Sequence, residues 1–330
     1  MDQVINLSVI VPVFNDGEGL KRLLKSIPAD DDIEVIVIDD NSTESIEFIA
    51  EALEYGENHL PNFAAFKNDR GVQSAGTCRN VGLDNAYGKW LMFADSDDYF
   101  VDGCFDAIRS HFNDAEDLIY YKATSIDELT KKEAQRHYLY NRTLSEYMQN
   151  PTSLYREMQL RYKCNGPVSK MVRREMVESN GIRFDQVIAS NDEMFSTKCG
   201  FFAKKIAVYD DIIYCITSRP GSLITNVSEE KFWVRLEVFI RKYQFLRENL
   251  SRKEFINVDI SSQEKIISLK KNGYSKEYCN KVMRELKKNG VCFLTLKTFD
   301  IAVFATKVRL FFDLKRIHKV EGKYEVKNET

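Results

Sequence analysis

The sequence predicts an α/β fold, a mostly parallel doubly wound sheet followed by a C-terminal helical extension, and three observations carry this. Residues 7–14 (Leu-Ser-Val-Ile-Val-Pro-Val-Phe) and 33–38 (Ile-Glu-Val-Ile-Val-Ile) are apolar with little alternation, as strands covered on both faces are. Helical patterns separate the strand-like runs, which is the signature of parallel strands joined by crossover helices. Acids gather where the strands stop, at Asp16, Asp39, Asp40, Asp95 and Asp97. In open sheets of this class, ligands sit beyond the carboxyl ends of the strands.

Each element has its own signal. Asn15-Asp16-Gly17 ends the first strand, and Leu20, Leu23, Leu24 and Ile27 give the next helix its apolar face. The second strand stops at Asp39-Asp40-Asn41-Ser42, a turn leading into a helix from Glu44. Phe63 to Phe66 reads as a short third strand, and a helix is expected to start near Ser74. Lys89 to Ala94 is a strand running into Asp95-Ser96-Asp97-Asp98, with a further helix from Asp102. Asp117 to Lys122 is another strand, followed by a polar, irregular stretch to about Asn150. Residues 164–225 continue as mixed α/β. From Glu229 to near Ile317 the pattern is helical, broken at 272–273 and 289–290.

A chain of 330 residues with 44% hydrophobic and 29% charged residues has the composition of a soluble globular protein with room for a large core. Its seven cysteines are odd in number and form no C-x-x-C pair, which argues for a reducing compartment and against zinc or a disulfide framework. Met1 leads almost directly into a strand, so no leader is expected, and no run of apolar residues is long enough for a transmembrane helix. The net charge of −3 hides an asymmetry: residues 231–320 carry 21 Lys and Arg against 9 Asp and Glu, leaving the remainder near −15. Such a split points the C-terminal part at something anionic, unless it is simply a solvated lysine-rich face.

Three acids within four residues at a strand end repel one another unless a cation or hydrogen-bond donors compensate. Oxygen donors without neighbouring Cys or His favour Mg²⁺ or Mn²⁺, ions that commonly keep positions open for substrate phosphates. Taken alone, the triplet reads rather as a solvated turn with an N-cap for the helix from Asp102.

The ordered set of motifs decides between these. Val9-Ile-Val-Pro-Val-Phe-Asn-Asp16, Val37-Ile-Asp-Asp-Asn-Ser-Thr43, Asn68 and Gly71 through Arg79-Asn80 to Gly88, and Phe93-Ala-Asp-Ser-Asp-Asp98 resemble the successive signatures of family-2 inverting glycosyltransferases. Gly166-Pro-Val-Ser-Lys-Met, Gly181-Ile-Arg-Phe184, Asn191-Asp-Glu-Met-Phe195 and Arg219-Pro-Gly-Ser222 resemble the acceptor half of the same family. The resemblance covers roughly residues 6–225. It implies a GT-A-like (Rossmann-like) fold and a nucleotide-sugar donor, a UDP-sugar being expected. It divides the chain into a transferase domain over 1–225, with a nucleotide-sugar-binding half at 1–123 and an acceptor half at 124–225, and a basic helical region at 226–330.

The resemblance also assigns residues. Pro12, Phe14 and Asp16 form one wall of the nucleotide site; Asp39 accepts from a base N–H and Asp40 supports its turn. Arg79 reaches the diphosphate, a group its guanidinium can bind through two oxygens. Asp95 contacts the ribose or a metal-bound water, Asp97 ligates Mn²⁺ or Mg²⁺, and Asp98 assists or caps the next helix. Asp192 is the general base, or Glu193 if the register is one residue off. Two departures stand out: Asn191 replaces the usual Glu before the base, and Tyr214-Cys-Ile-Thr217 keeps only the first Tyr of a Tyr-x-Tyr-Arg run. Cys78, where Ala is usual, reads as a packed residue rather than a nucleophile.

The acceptor implied is a glycan or lipid-linked glycan, built at the cytoplasmic face of the cell membrane. The segment 291–317, apolar around much of a helix and flanked by Lys287, Lys288, Lys315, Arg316 and Lys319, would lie at an anionic membrane or pack within the protein or a homodimer. No nucleic-acid motif is present, and the overall charge is negative. A metal-dependent nucleotidyltransferase would share an Asp-bound metal but needs a basic glycine-rich loop where Phe14-Asn-Asp-Gly-Glu18 is acidic. A non-catalytic glycan- or nucleotide-binding protein would be expected to have lost Asp97 or Asp192, and both are present.

Overall fold

The structure, a computed structural model, describes residues 4–218, 228–271 and 274–301, with isolated positions 303, 305 and 308 beyond. It divides into two compact units, Met1–Val238 and Phe239–Thr330.

The first unit opens with four strands in one direction. β1 (Leu7–Val13) leads through α1 (Gly17–Lys25) to β2 (Ile33–Asp39), then through α2 (Ile46–His59) to β3 (Asn62–Lys67) and through α3 (Ala75–Asp84) to β4 (Trp90–Phe93). β2 and β4 pair parallel on either side of β1, and β3 flanks β2. The chain therefore reverses its direction of travel across the sheet at β1, and the crevice beyond β1 and β4 is where such folds place ligands. The β4 ladder ends at Ile10↔Phe93, so Pro12, which has no N–H to give, interrupts no pairing on that side.

The next elements close the sheet. They are β5 (Tyr99–Phe100), α4 (Cys104–Ser110), β6 (Leu118–Asp127), α5 (Tyr138–Gln149), α6 (Leu154–Lys163), β7 (Lys170–Arg173), α7 (Arg174–Ser179), α8 (Glu193–Phe202) and β8 (Ile206–Ser218). The sheet order is β3-β2-β1-β4-β7-β6-β8-β5, with β7 antiparallel to β4 and β6, and β5 antiparallel to β8. Two apolar layers sandwich it. Leu7, Val9, Val11 and Val13 pack with Leu20, Leu23 and Leu24 of α1 and with Phe105 and Ile108 of α4. Ile10, Ile36 and Ile38 pack on the other face with Cys78 and Val81 of α3 and with Phe195 and Cys199 of α8. Cys78 is fully buried and its thiol is pushed up by burial and by Asp40, as a packed residue would be.

Buried polar contacts fix the entry to β4. Ser8 Oγ donates to Glu34 at 2.5 Å, and Glu34 accepts from the Tyr87 and Gly88 nitrogens. A Cβ at Gly88 would stand 2.5 Å from the Ser8 nitrogen, so only glycine lets the chain pass there.

Several expectations need correction. The stretch before Asn150, expected to be irregular, contains α5; Tyr140, Leu144 and Tyr147, spaced i, i+4 and i+7, pack it on the sheet, but no side chain caps it to signal its start. The strand expected at 117–122 runs to Asp127 because β8 pairs with it throughout, across a bulge near Lys122. The helices expected from Glu44 and Asp102 begin at Ile46 and Cys104.

The second unit begins within α9 (Glu229–Asn249) and continues through α10 (Arg252–Val258), α11 (Gln263–Lys271) and α12 (Lys276–Lys288). Gly290, at φ +70°, follows the end of α12. The segment from 291, expected to be helical, starts otherwise: Ser262 N donates to the Cys292 carbonyl and Thr295 Oγ1 to Asp259, and a single 3₁₀ turn follows at Leu296–Phe299. Of the remainder to 317 only 300, 301, 303, 305 and 308 are described. Lys315, Arg316, Lys319 and the Arg219–Ser222 motif lie outside the described residues. No helix among the described residues is long and apolar enough to cross a membrane.

Candidate active site

The site lies at the carboxyl ends of β1, β2 and β4. Two loops build its floor by trading side-chain-to-main-chain bonds. Asn15 Oδ1 accepts from the Thr43 and Glu44 nitrogens, both at 2.9 Å, while Ser42 Oγ accepts from the Asn15 nitrogen. Asn15 and Asn41 both take positive φ, which Asn tolerates better than most residues. Asp16 caps α1, accepting from Gly19 N, and Phe14 is exposed beside it. Asp39, half-buried, accepts from Ser42 N at 3.1 Å.

Asp40 is buried. Its carboxylate accepts from Asn68 Nδ2 at 2.6 Å, and its carbonyl accepts from Gln73. Burial pushes its pKa up, against the pull of the Asn68 and Cys78 hydrogen bonds. Asp40 thus ties the second and third crossover loops together, and α2 starts without it.

The acidic turn follows β4. Asp98 N donates to the Asp95 carbonyl, closing a turn that brings the Asp95, Asp97 and Asp98 carboxylates within 4.8 Å of one another. The end of β8 secures this turn. Tyr214 OH accepts from Asp95 N at 2.8 Å, Thr217 N donates to Asp98 Oδ1 at 2.8 Å, and Thr217 Oγ1 donates to the Asp97 carbonyl at 2.6 Å. Arg22 of α1 also donates to the Asp97 carbonyl, and Arg136 holds the Thr217 carbonyl. Asp98 is not a helix cap: it is buried, and its pKa is held well above the usual carboxylate range by burial and by the charges of Asp95 and Asp97. An oxygen-only cluster with this mutual repulsion fits a hard divalent ion such as Mg²⁺ or Mn²⁺.

Arg79 joins this turn to the opposite wall. It is buried on α3, and its guanidinium donates to Asp95 Oδ1 at 2.5 Å and to Asn191 Oδ1 at 3.1 Å, above the Phe184 ring at 5.3 Å. Asn80, next in sequence, grips Phe184 reciprocally: Nδ2 donates to its carbonyl and Oδ1 accepts from its nitrogen. Phe184 stacks on Phe195 at 3.9 Å, and Phe93 meets both edge-on. A Cβ at Gly76 would lie 2.5 Å from the Asp185 carbonyl oxygen, so the loop presses directly on α3.

Asp192 sits at the N-terminus of α8, part-buried, without capping it through its side chain. Burial raises its pKa, Arg79 opposes the rise, and Glu193 and Asp95 add to it. Glu193 is buried and bonds Asn165. The geometry therefore gathers Asp95, Asp97, Arg79 and Asp192 at one place, with Asp16 and Asp39 on the neighbouring loops. The roles that the sequence does not announce are those of Arg22, Asn165, Lys170 and Thr217, together with the link from Arg79 to Asn191. Their signal was faint: each is a polar residue in or near a recognisable motif, and most of their contacts join segments far apart in sequence.

A family model described as Glycosyl transferase family 2 matches residues 8–181. The chain belongs to glycosyl transferase family 2. It is 27% identical over 277 residues to the poly(ribitol-phosphate) beta-N-acetylglucosaminyltransferase TarS of Staphylococcus aureus, a match covering 79% of this chain and 42% of TarS. Two solved structures of S. aureus TarS 1–349 share its fold. The complex with UDP-GlcNAc has TM-score 0.61 at 24% identity, covering 77% of this chain and 71% of that one. The complex with UDP has TM-score 0.55 at 25% identity, covering 77% and 70%. The fold is accordingly GT-A-like, and this family-2 chain is a glycosyltransferase. It spans less than half the length of TarS, which extends well beyond the shared part.

Proposed function

We propose that this family-2 enzyme moves a sugar from a UDP-sugar to a hydroxyl of a glycan or lipid-linked glycan, with inversion and with a divalent metal ion. The observation that carries the reading is the convergence of the Asp95–Asp98 carboxylates with Asp192, joined through Arg79. TarS, whose 1–349 fragment binds UDP, supports uridine as the base. Asp39 stands at the end of β2 to accept from the base, and Pro12, Phe14 and Asp16 line the β1 side.

Asp97, helped by Asp95 and Asp98, would hold Mn²⁺ or Mg²⁺, which when bound neutralises charge developing on the departing diphosphate. The protein's part is to orient and to take a proton. The main-chain bonds to Tyr214, Thr217 and Arg22 fix the acidic turn before substrate arrives, so little reorganisation is needed on binding. Asp192 accepts the acceptor hydroxyl's proton as that oxygen attacks the anomeric carbon from the face opposite the diphosphate. Arg79 keeps Asp95 aligned and favours the ionised form of Asp192.

Residues 1–225 form the proposed transferase domain, with donor and acceptor halves meeting near residue 123, and 226–330 the basic extension. On α12 the exposed Lys281, Arg284 and Lys288 lie opposite the buried Cys279, Val282 and Leu286, and Phe293, Leu296 and Phe299 are exposed shortly after. Such a surface suits the anionic cytoplasmic face of a membrane where lipid-linked glycans are made. Measuring nucleoside diphosphate release from a panel of sugar nucleotides, with and without Mn²⁺ or Mg²⁺, tests the reaction. Metal-independent release, or release from none of the UDP-sugars, would remove its basis.

A further inference from the structure

We propose that Lys170 is a positioning residue for Asp192, acting through the Cys164–Asn165 turn and through its charge. The inference rests on the reading of Asp192 as general base. Lys170 opens β7 inside the Gly166–Met171 motif and is 4% exposed. Leu118, Tyr120, Val172, Phe195 and Cys199 line a small cavity with it. A lysine in such surroundings loses its hydration, and lysines are almost never found fully buried without a partner. Among the described residues no carboxylate is in ion-pair contact with it. Its ammonium donates to the Cys164 carbonyl at 2.5 Å and lies 5.2 Å from the centre of the Tyr120 ring.

From that carbonyl a short series of contacts leads to the base. Asn165, next in the chain, accepts from Ser196 Oγ through its carbonyl and donates to Glu193 Oε1 at 3.4 Å through its side chain. Glu193 and Ser196 belong to the first turn of α8, and Ser196 N donates to the Asp192 carbonyl at 2.9 Å. The N-terminus of α8 is thus held on one side by Arg79 through Asn191 and on the other by Lys170 through Cys164 and Asn165. The charged groups facing Asp192 are Arg79 from α3, Asp95 after β4, Glu193 on α8 and Lys170 on β7. Burial makes the Lys170 ammonium easier to deprotonate, and the nearby Asp192 charge counters this; the same attraction favours an ionised Asp192. Neither effect needs Lys170 to touch substrate.

The test is Lys170→Met in the full chain, a change of similar length that removes the charge and that a buried site can often absorb. With a UDP-sugar that the wild type turns over, donor KM should stay within about twofold while kcat falls roughly 10- to 100-fold, the scale of a displaced catalytic group. The acid limb of the pH–rate profile should move upward. In an Asp192→Asn background the same substitution should add almost nothing, because both changes act on one group. An unchanged kcat, or a loss as large in the Asp192→Asn background, would overturn the proposal. Should Lys170→Met not fold, Asn165→Ala cuts the same series of contacts at its outer end. A kcat loss that vanishes in the Asp192→Asn background then supports positioning, and one that persists there refutes it. A fully active Asp192→Asn single variant would instead sink the base reading, independently of anything Lys170 does.

Discussion

The two walls of the cleft are built differently. The wall formed by residues 7–98 comes from successive strand ends whose loops are tied by short polar side chains and main-chain bonds: Asn15 Oδ1 to the Thr43 and Glu44 nitrogens, Asn68 Nδ2 to the Asp40 carboxylate, Asp98 N to the Asp95 carbonyl. The wall formed by residues 164–218 is held by side chains reaching across the sequence: Arg79 to Asn191, Asn80 to Phe184, Tyr214 to Asp95. The first wall is set by loops at the ends of neighbouring strands, the second by packing between more distant segments. Substitutions in the first should chiefly alter donor and metal binding, and those in the second should alter turnover.

The largest expected effect is in the first wall. Asp97→Ala should take activity to background and flatten the metal titration, read as UDP release against Mn²⁺ concentration. Wild-type turnover with an unchanged titration would dissolve the distinction between the walls. Asp192→Asn comes next, with kcat lowered roughly 10²- to 10⁴-fold, the usual scale for a positioned general base, and UDP binding retained in calorimetry. If Glu193→Gln is inactive while Asp192→Asn is not, the base lies one residue further on.

Asp192 also makes the comparison sensitive to pH. Burial raises its folded-state pKa, so the acid limb that the proposed base gives to kcat should lie higher than an exposed aspartate would place it. The sign for stability is opposite to that of a salt-bridged acid. The folded state holds this proton more tightly than the unfolded chain, so the contribution is present below the unfolded pKa and is lost as pH rises through the folded one. Asp192→Asn should therefore melt at least as high as wild type at neutral pH, with the gap narrowing in acid. A variant that melts lower at neutral pH and keeps that deficit in acid would contradict the assigned environment.

Legibility followed the same division. The apolar run of β1 and the Asp39-Asp40 and Asp95–Asp98 turns are contiguous, so strand ends and acids were readable together. Asn191 was visible as a departure, but its bond to Arg79 spans 112 residues and no periodicity encodes it. Arg79, expected at the diphosphate, also donates to Asp95 and Asn191, links that no sequence pattern announces. Helix α5 was missed because its core-facing positions are two tyrosines and one leucine amid polar residues, with no cap to mark it. Thr217, where the family often carries Arg, looked like a loss; it secures the Asp97–Asp98 turn instead.

The smallest expected effect lies outside both walls. Reversing Lys281, Arg284 and Lys288 to Glu should weaken flotation with anionic vesicles at low salt, by on the order of 1 kcal/mol for each basic group removed, and should leave UDP release unchanged. Equal flotation of variant and wild type at every salt concentration would exclude α12 from membrane binding.

The central claim, metal-assisted transfer from a UDP-sugar, is tested most directly by following UDP release from the wild-type chain across a panel of UDP-, GDP- and dTDP-sugars. Each would be assayed with Mn²⁺, with Mg²⁺ and after chelation. Turnover of at least one UDP-sugar is expected, lost on chelation and restored by adding back either ion or both. Undiminished turnover in the presence of chelator, or turnover confined to another nucleotide, would contradict it.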